Sequence, residues 1–262
     1  MDFKPKLVCF DLDGTLAESK QRVSAHTGEL LGRLLEVMPV AIMSGASFEQ
    51  FETQLLPALP STEAQLKRLY LFPTNAAMCF IWSQGKWQVR YDHSFTAPER
   101  GRIIQAIHEA LAETGLEHIP AYNPAWGEQV EDRGAQIAFS MLGQRAPLEA
   151  KQEQHRLHEE ARVELQQALV RRLPDFSVLR GGLTTVDVTK KGISKAYGIR
   201  RLIEITSISI SEMLYVGDAL EEGGNDAVVI QTGIKTHPVF GPDETAELIE
   251  RLLAGTRHTA LV

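Results

Sequence analysis

The stretch Leu7-Val8-Cys9-Phe10-Asp11-Leu12-Asp13-Gly14-Thr15-Leu16 limits what this chain can fold into more than any other. Four consecutive apolar residues suit a strand of a parallel sheet covered on both faces. The run then stops at two carboxylates one residue apart, followed by a glycine and a hydroxyl. In open α/β sheets ligands sit beyond the carboxyl ends of the strands, which is where Asp11 and Asp13 fall. Two acids this close repel and one pKa rises, unless they share a proton or a cation neutralises them. Mg²⁺ is the natural partner, because it takes oxygen ligands and commonly uses one or two carboxylates together with substrate phosphate. Gly14 permits a tight turn and leaves backbone N–H groups to face an anion. Taken alone, the stretch also reads as an ordinary Asp-Gly turn after a strand.

The same grammar recurs. Val40-Ala41-Ile42-Met43 reads as a buried strand that runs into Ser44-Gly45, where a hydroxyl can reach a phosphate oxygen. Met213-Leu214-Tyr215-Val216 runs into Gly217-Asp218 and an acidic loop ending in Asn225-Asp226. Between the first two strands, Leu30, Leu31, Leu34, Leu35 and Met38 have the spacing of an amphipathic helix. Lys195 stands near a helix start, where the dipole gives a cation no support. A phosphate or carboxylate partner explains it, an exposed helix lysine being the alternative, and Lys190 and Lys191 compete for the same role. The expected fold is α/β: a Rossmann-like, mostly parallel sheet that assembles one site from distant sequence.

Between these halves the pattern changes. Trp87 to Tyr91 alternates with period two, Ile103, Ile104, Ile107 and Leu111 share a helix face that Gly115 ends, and an antiparallel pair is expected around Arg133-Gly134. Glu149 to Arg172 reads as one long charged helix with a narrow stripe of Leu157, Ala161, Leu165 and Leu169. Strands follow at Phe176–Leu179 and Thr184–Val188. Such a run is expected to be an inserted α+β cap over residues 86–187, with residues 1–85 and 188–262 forming the core.

The 262 residues are 44% hydrophobic, enough for this core and a smaller companion. A formal net charge of -7 disfavours nucleic acid or an anionic membrane as the main partner and favours a small substrate. Only Cys9 and Cys79 occur, so no disulfide framework is expected. The N-terminus lacks the apolar core of a signal peptide, and no apolar run approaches ~18 residues. The expectation is a soluble, cytoplasmic protein.

Asp11-Leu12-Asp13-Gly14-Thr15-Leu16, Ser44, Gly192-Ile193-Ser194-Lys195 and Asp218 with Asn225-Asp226 occur in the order of motifs I to IV of the haloacid dehalogenase superfamily, and the chain resembles that family along essentially its whole length. An insert after motif II resembles the type IIB subfamily, with an α/β cap. Within it, Gly217-Asp218 followed by Gly223-Gly224-Asn225-Asp226 resembles the acidic loop of the eukaryotic-type phosphomannomutase branch. The resemblance implies that Asp11 is the nucleophile, Asp13 the general acid and base, Ser44 and Lys195 phosphate-holding catalytic groups, and Asp11, Asp13, Asp218 and Asp226 the Mg²⁺ ligands. It also implies that Lys20, Gly45, Arg133, Arg145, Lys151, Thr185, Asp187 and Asn225 bind substrate. The departures from the mutase branch are specific: Ser44-Gly45 replaces Gly-Gly, Lys20 replaces an Arg, and Gln144-Arg145 and Lys151 stand for two cap arginines. Lys cannot reproduce a bidentate guanidinium fork.

Three functions follow from these residues. The favoured one is a Mg²⁺-dependent phosphatase acting on a phosphorylated sugar or similar small metabolite, through an aspartyl-phosphate. A sugar-phosphate mutase is the second. A non-enzymatic phospho-acceptor of the receiver type is the third, and it leaves the insert and Asp13 unexplained. A monomer or a cap-mediated homodimer is expected, with no nucleic-acid or membrane partner.

Overall fold

The structure, a computed structural model, describes residues 3–116 and 122–257. Its strands are β1 (Leu7–Phe10), β2 (Val40–Met43), β3 (Leu69–Phe72), β4 (Met78–Ser83), β5 (Lys86–Asp92), β6 (Val130–Asp132), β7 (Ile137–Ser140), β8 (Phe176–Arg180), β9 (Thr185–Lys190), β10 (Met213–Gly217) and β11 (Lys235–Pro238). Its helices are α1 (Ala25–Val37), α2 (Phe48–Gln54), α3 (Glu63–Leu66), α4 (Ala97–Thr114), α5 (Leu148–Arg172), α6 (Lys195–Thr206) and α7 (Pro242–Arg257). The chain divides into two compact units. One holds the chain through Asp92, Lys195–Glu222 and the part from Asp226 onward; the other holds His93–Ser194 with Gly223–Asn225.

In the first unit the sheet runs β11-β10-β1-β2-β3-β4-β5. The first five strands in that order are parallel, whereas β4 and β5 are antiparallel additions. Every residue of β1, β2 and β10 is buried, as continuous apolar strands covered on both faces must be. Alternation along β1 sorts its side chains. Val8 and Phe10 pack with Leu30 and Leu34 of α1 and Leu248 and Ile249 of α7, while Leu7 and Cys9 pack with Ile199 and Leu202 of α6. From β1 the chain proceeds to β2 on one side, and from β10 to β11 on the other. The carboxyl ends of β1 and β10 therefore flank the switch point of the sheet, where such folds leave a crevice.

The second unit is a four-stranded antiparallel sheet, β6-β7-β9-β8. Two helices cover it: Ile103, Ile107 and Leu111 of α4 meet Leu165 and Leu169 of α5 over Ile137, Phe139 and Val188. Thr96 and Glu99 form a capping box at the start of α4, and Gly115 ends it at φ 69°. The fold is thus α/β, with a mostly parallel Rossmann-like sheet and a separate antiparallel sheet.

Three expectations change in detail. Lys86–Asp92 pairs with β4 in the large sheet, so the second unit begins at His93, and β9 continues to Lys190, so that unit extends to Ser194. Strand pairing across the Gln84-Gly85 turn decides this allegiance. The stripe expected along α5 does not hold through Leu157, which is 52% exposed, because the helix breaks at His158 (φ -138°) and turns the preceding residues out of register. Ala227-Val228-Val229-Ile230, whose apolar run suits either a helix or a strand, lies in a 3₁₀ segment, Ala227–Thr232. Among the described residues no helix is long and apolar enough to cross a membrane, and Cys9 and Cys79 are buried free thiols.

Candidate active site

Asp11 follows β1 directly and its N–H donates to the Val216 carbonyl of β10 at 3.0 Å, which ties the two strand ends together. Its side chain is buried. Asp11 Oδ1 accepts from Lys195 Nζ at 2.6 Å, and the same ammonium donates to Asp226 Oδ1 at 2.7 Å. Lys195 is itself buried, at the first turn of α6. Of the three competing lysines this is the one brought to Asp11, while Lys190 Nζ lies 3.7 Å from Glu99.

The electrostatics follow from burial. Desolvation pushes the Asp11 carboxyl well above the usual carboxylate range, Lys195 pulls it back, and Asp226 and Asp218 add to the push. Burial works against the Lys195 charge, but the carboxylates of Asp11 and Asp226 outweigh it and hold the ammonium more firmly protonated than a free lysine. Asp218 presents one side to solvent and is crowded on the other. Loss of water there and the Asp226 charge push it up to about 6, against the pull of Lys195 and of Thr15, whose hydroxyl donates to Asp218 Oδ1 at 3.3 Å.

Asp11, Asp218 and Asp226 each offer one oxygen such that all three atoms lie within 4.8 Å of one another. With all three carboxylates ionised beside one ammonium the cluster would carry two excess negative charges, and among the described residues Asp11 Oδ2 is a buried oxygen with no hydrogen-bond partner. Hard oxygen donors, an unsatisfied buried acceptor and an excess charge of two fit a hard divalent cation. Gly14 makes room for the cluster: its φ is 84°, and a Cβ there would lie 2.3 Å from Asp218 Oδ2.

The Asp13 side chain is not in that group. Its Oδ1 accepts from the backbone N–H of Lys20 at 2.5 Å, so the turn after β1 is closed by Asp13 itself. Lys20 takes a left-handed conformation there, φ 59°.

Ser44 sits at the carboxyl end of β2, beside β1, with its hydroxyl accepting from the Ala46 N–H at 3.0 Å; Gly45 lies in the same turn. A left-handed turn braces this loop. Thr74, Asn75 and Ala76 have φ of 53°, 54° and 64°, conformations that cost non-glycine residues roughly 1–2 kcal/mol each. It is held by Thr74 N–H to Ala46 O and Asn75 N–H to Ser44 O, both 2.8 Å, and by the Tyr91 hydroxyl donating to Ala76 O at 3.0 Å.

The remaining expected residues belong to the second unit. Thr185 and Asp187, two residues apart on β9 and so on one face, converge over the α-carbon of Gly181. Arg162 supports that turn by donating to the carbonyls of Gly181 and Gly182, and Glu159 pairs with both Arg162 and Arg180. Arg133 is paired with Glu131: Nε and Nη2 both donate to Glu131 Oε2, at 3.0 and 2.6 Å. Its Nη2 also reaches Gln144 Oε1 at 3.3 Å. Arg145 is exposed against Gly127, Lys151 is buried in the first turn of α5, and Asn225 groups with this unit.

Two residues beyond those expected also contribute. Thr15, in the opening stretch, and Tyr215, within buried β10, each donate a hydroxyl to an aspartate of the cluster. A tyrosine in an otherwise aliphatic buried strand was the available signal, since a buried hydroxyl needs a partner.

Comparisons with known proteins place the chain in a family. The model of the haloacid dehalogenase-like hydrolase family matches residues 8–230. A phosphomannomutase of Saccharomyces cerevisiae is 24% identical over 255 residues, 95% of each chain. Among solved structures, an N-terminally truncated, IMP-bound IMP-nucleotidase of Plasmodium falciparum has a TM-score of 0.71 at 16% identity, over 96% of this chain and 68% of that one. The C-terminal domain of a C. albicans trehalose-6-phosphate phosphatase has a TM-score of 0.63 at 17% identity, over 96% and 93%. These two likenesses carry the fold. With the family match spanning most of the chain, the protein is an enzyme of the phosphatase or phosphotransferase type and belongs to the haloacid dehalogenase-like hydrolases.

Proposed function

We propose that this enzyme is a Mg²⁺-dependent phosphatase acting on a phosphorylated sugar or similar small metabolite through an aspartyl-phosphate. The observation that carries the reading is Asp11: a buried carboxylate held by Lys195 at one oxygen and, among the described residues, without a hydrogen bond at the other. Asp11, Asp218 and Asp226 would hold Mg²⁺, which when bound supplies positive charge to phosphoryl oxygens and offsets repulsion among the three carboxylates.

Phosphoryl transfer asks the protein mainly to position reactants and stabilise charge. An Asp11 oxygen attacks phosphorus, the bond from phosphorus to the substrate oxygen breaks, and Asp13 gives that oxygen its proton. Water then loses a proton to Asp13 and attacks the phosphorus, releasing phosphate and restoring Asp11. Lys195 and Ser44 hold phosphoryl oxygens. Arg133, Arg145, Lys151, Thr185, Asp187 and Asn225, with Lys20 and Gly45, are assigned to substrate binding.

A phosphomannomutase-like mutase is the second reading, favoured by the yeast relative. A mutase must also hold a second phosphate while the sugar turns around. Here Glu131 already neutralises Arg133, and Lys151 stands where a guanidinium fork would serve better. Ser44 adds a hydroxyl typical of phosphatases. The test is incubation with mannose or glucose 1-phosphate, Mg²⁺ and a hexose 1,6-bisphosphate activator, followed by ³¹P NMR. Free phosphate is expected to form faster than hexose 6-phosphate, and Asp11→Asn is expected to lose at least about a thousandfold in rate, roughly 4 kcal/mol of barrier. Dominant, activator-dependent 6-phosphate would make the enzyme a mutase, and substantial turnover by Asp11→Asn would overturn the covalent route.

A further inference from the structure

β10 is buried along its length, and Tyr215 is its one polar side chain. The ring packs in the cluster formed by Cys9, Met213 and Val229, where a phenylalanine would fill the same volume. The hydroxyl makes the difference. It donates to Asp226 Oδ1 at 2.5 Å, the oxygen that also accepts from Lys195 Nζ at 2.7 Å. Asp226 is fully buried, so two donors on Oδ1 fix the rotation of its carboxylate. Asp226 Oδ2 packs against Gly217 and, among the described residues, receives only a long 3.4 Å bond from the Ala219 N–H. Lys195 does not suffice for this, because its ammonium is shared with Asp11.

We infer that Tyr215 is a positioning residue for the cation site: by holding Asp226 Oδ1, it leaves Oδ2 as the oxygen offered to a divalent cation. The inference rests on the Mg²⁺-dependent reading above and adds to it a residue that meets neither substrate nor cation. Hydrogen bonds to ligating groups orient them, and their loss typically costs roughly 10–100-fold in metal affinity.

The experiment measures Mn²⁺ binding to the purified full chain by EPR, for wild type, Tyr215→Phe and Tyr215→Leu. Phe removes one oxygen and keeps the ring; Leu removes both. The Phe variant is expected to bind Mn²⁺ roughly tenfold more weakly, with a metal-free thermal midpoint near wild type and a rate deficit that closes as Mg²⁺ is raised. The Leu variant is expected to show a similar loss of affinity and a lower midpoint. Wild-type affinity in the Phe variant, or a loss seen only with Leu, would overturn the inference by reducing Tyr215 to packing. Absence of Mn²⁺ binding by wild type would instead remove the Mg²⁺-dependent reading, and the inference with it.

Discussion

Lys195 Nζ donates to Asp11 Oδ1 at 2.6 Å across 184 positions of sequence, and neither side chain has appreciable contact with water. The cation balances two buried carboxylates at once, Asp11 and Asp226. Its removal leaves both without their partner, and breaking a buried pair from one side costs far more than the pair contributes net.

Lys195→Met is therefore expected to destabilise the metal-free protein by about 3–5 kcal/mol at pH 7. The lysine pKa is raised in the fold by the two carboxylates, so its contribution is fully present below the unfolded value of 10.5 and hence at pH 7. The penalty is expected to shrink toward pH 5, because Asp11, already raised by burial, takes up a proton once the ammonium is gone. Urea unfolding at both pH values measures this. An equal penalty at both would mean that the lost lysine acted through packing alone.

Metal binding is expected to be proton-linked. Asp218 ionises near 3.8 when unfolded and is pushed up to about 6 in the fold, so between these values the folded state holds more protons than the unfolded one. Stability of the metal-free protein contributed by this group accordingly falls as pH rises from about 4 to about 6. A cation needs the ionised form. Mn²⁺ affinity is thus expected to strengthen from pH 5 to pH 7 and to level off above, while the metal-free midpoint moves the other way. Calorimetric titration at three pH values decides it, and a flat affinity would remove Asp218 from the ligand set.

Gly198 places α6 against the strained turn beside Ser44. A Cβ at this position would lie 2.6 Å from the Ala76 Cβ and 3.1 Å from Met43 Sδ, closer than atoms pack. Alanine gains about 1 kcal/mol of helix propensity over glycine. Overpacking costs typically about 1–3 kcal/mol, and the short Ala76 side chain cannot swing aside. Gly198→Ala is expected to lower stability by up to about 2 kcal/mol net, and to impair activity by shifting the helix that carries Lys195. A stabilised variant in chemical denaturation would show that α6 is free to move outward.

Sequence by itself determined the features that live in a few consecutive residues. Four apolar residues that end in Asp11-Leu12-Asp13-Gly14 specify a buried parallel strand and an acidic loop, since the pattern of burial and the turn are both local. The same holds for Ser44 after β2 and Asp218 after β10, and for the helix that ends at Gly115. Tertiary structure alone decided the rest. Gly192-Ile193-Ser194-Lys195 favours Lys195 over Lys190 and Lys191 only through the family resemblance; the docking of α6 on the sheet is what brings its ammonium to Asp11. The hairpin turn at Gln84-Gly85 is local, but that its second strand Lys86–Asp92 belongs to the large sheet depends on where β4 pairs, which is with β3. The grouping of the three carboxylates belongs here too, with Asp226 brought beside Asp11 and Asp218 and the Asp13 side chain turned to Lys20. So does the Tyr215 hydroxyl, whose burial is written in its strand but whose partner lies eleven residues away in the acidic loop. The physical reason is common to all four: spacing encodes which face of an element is apolar, whereas a hydrogen bond between elements exists only once packing has removed the competing water.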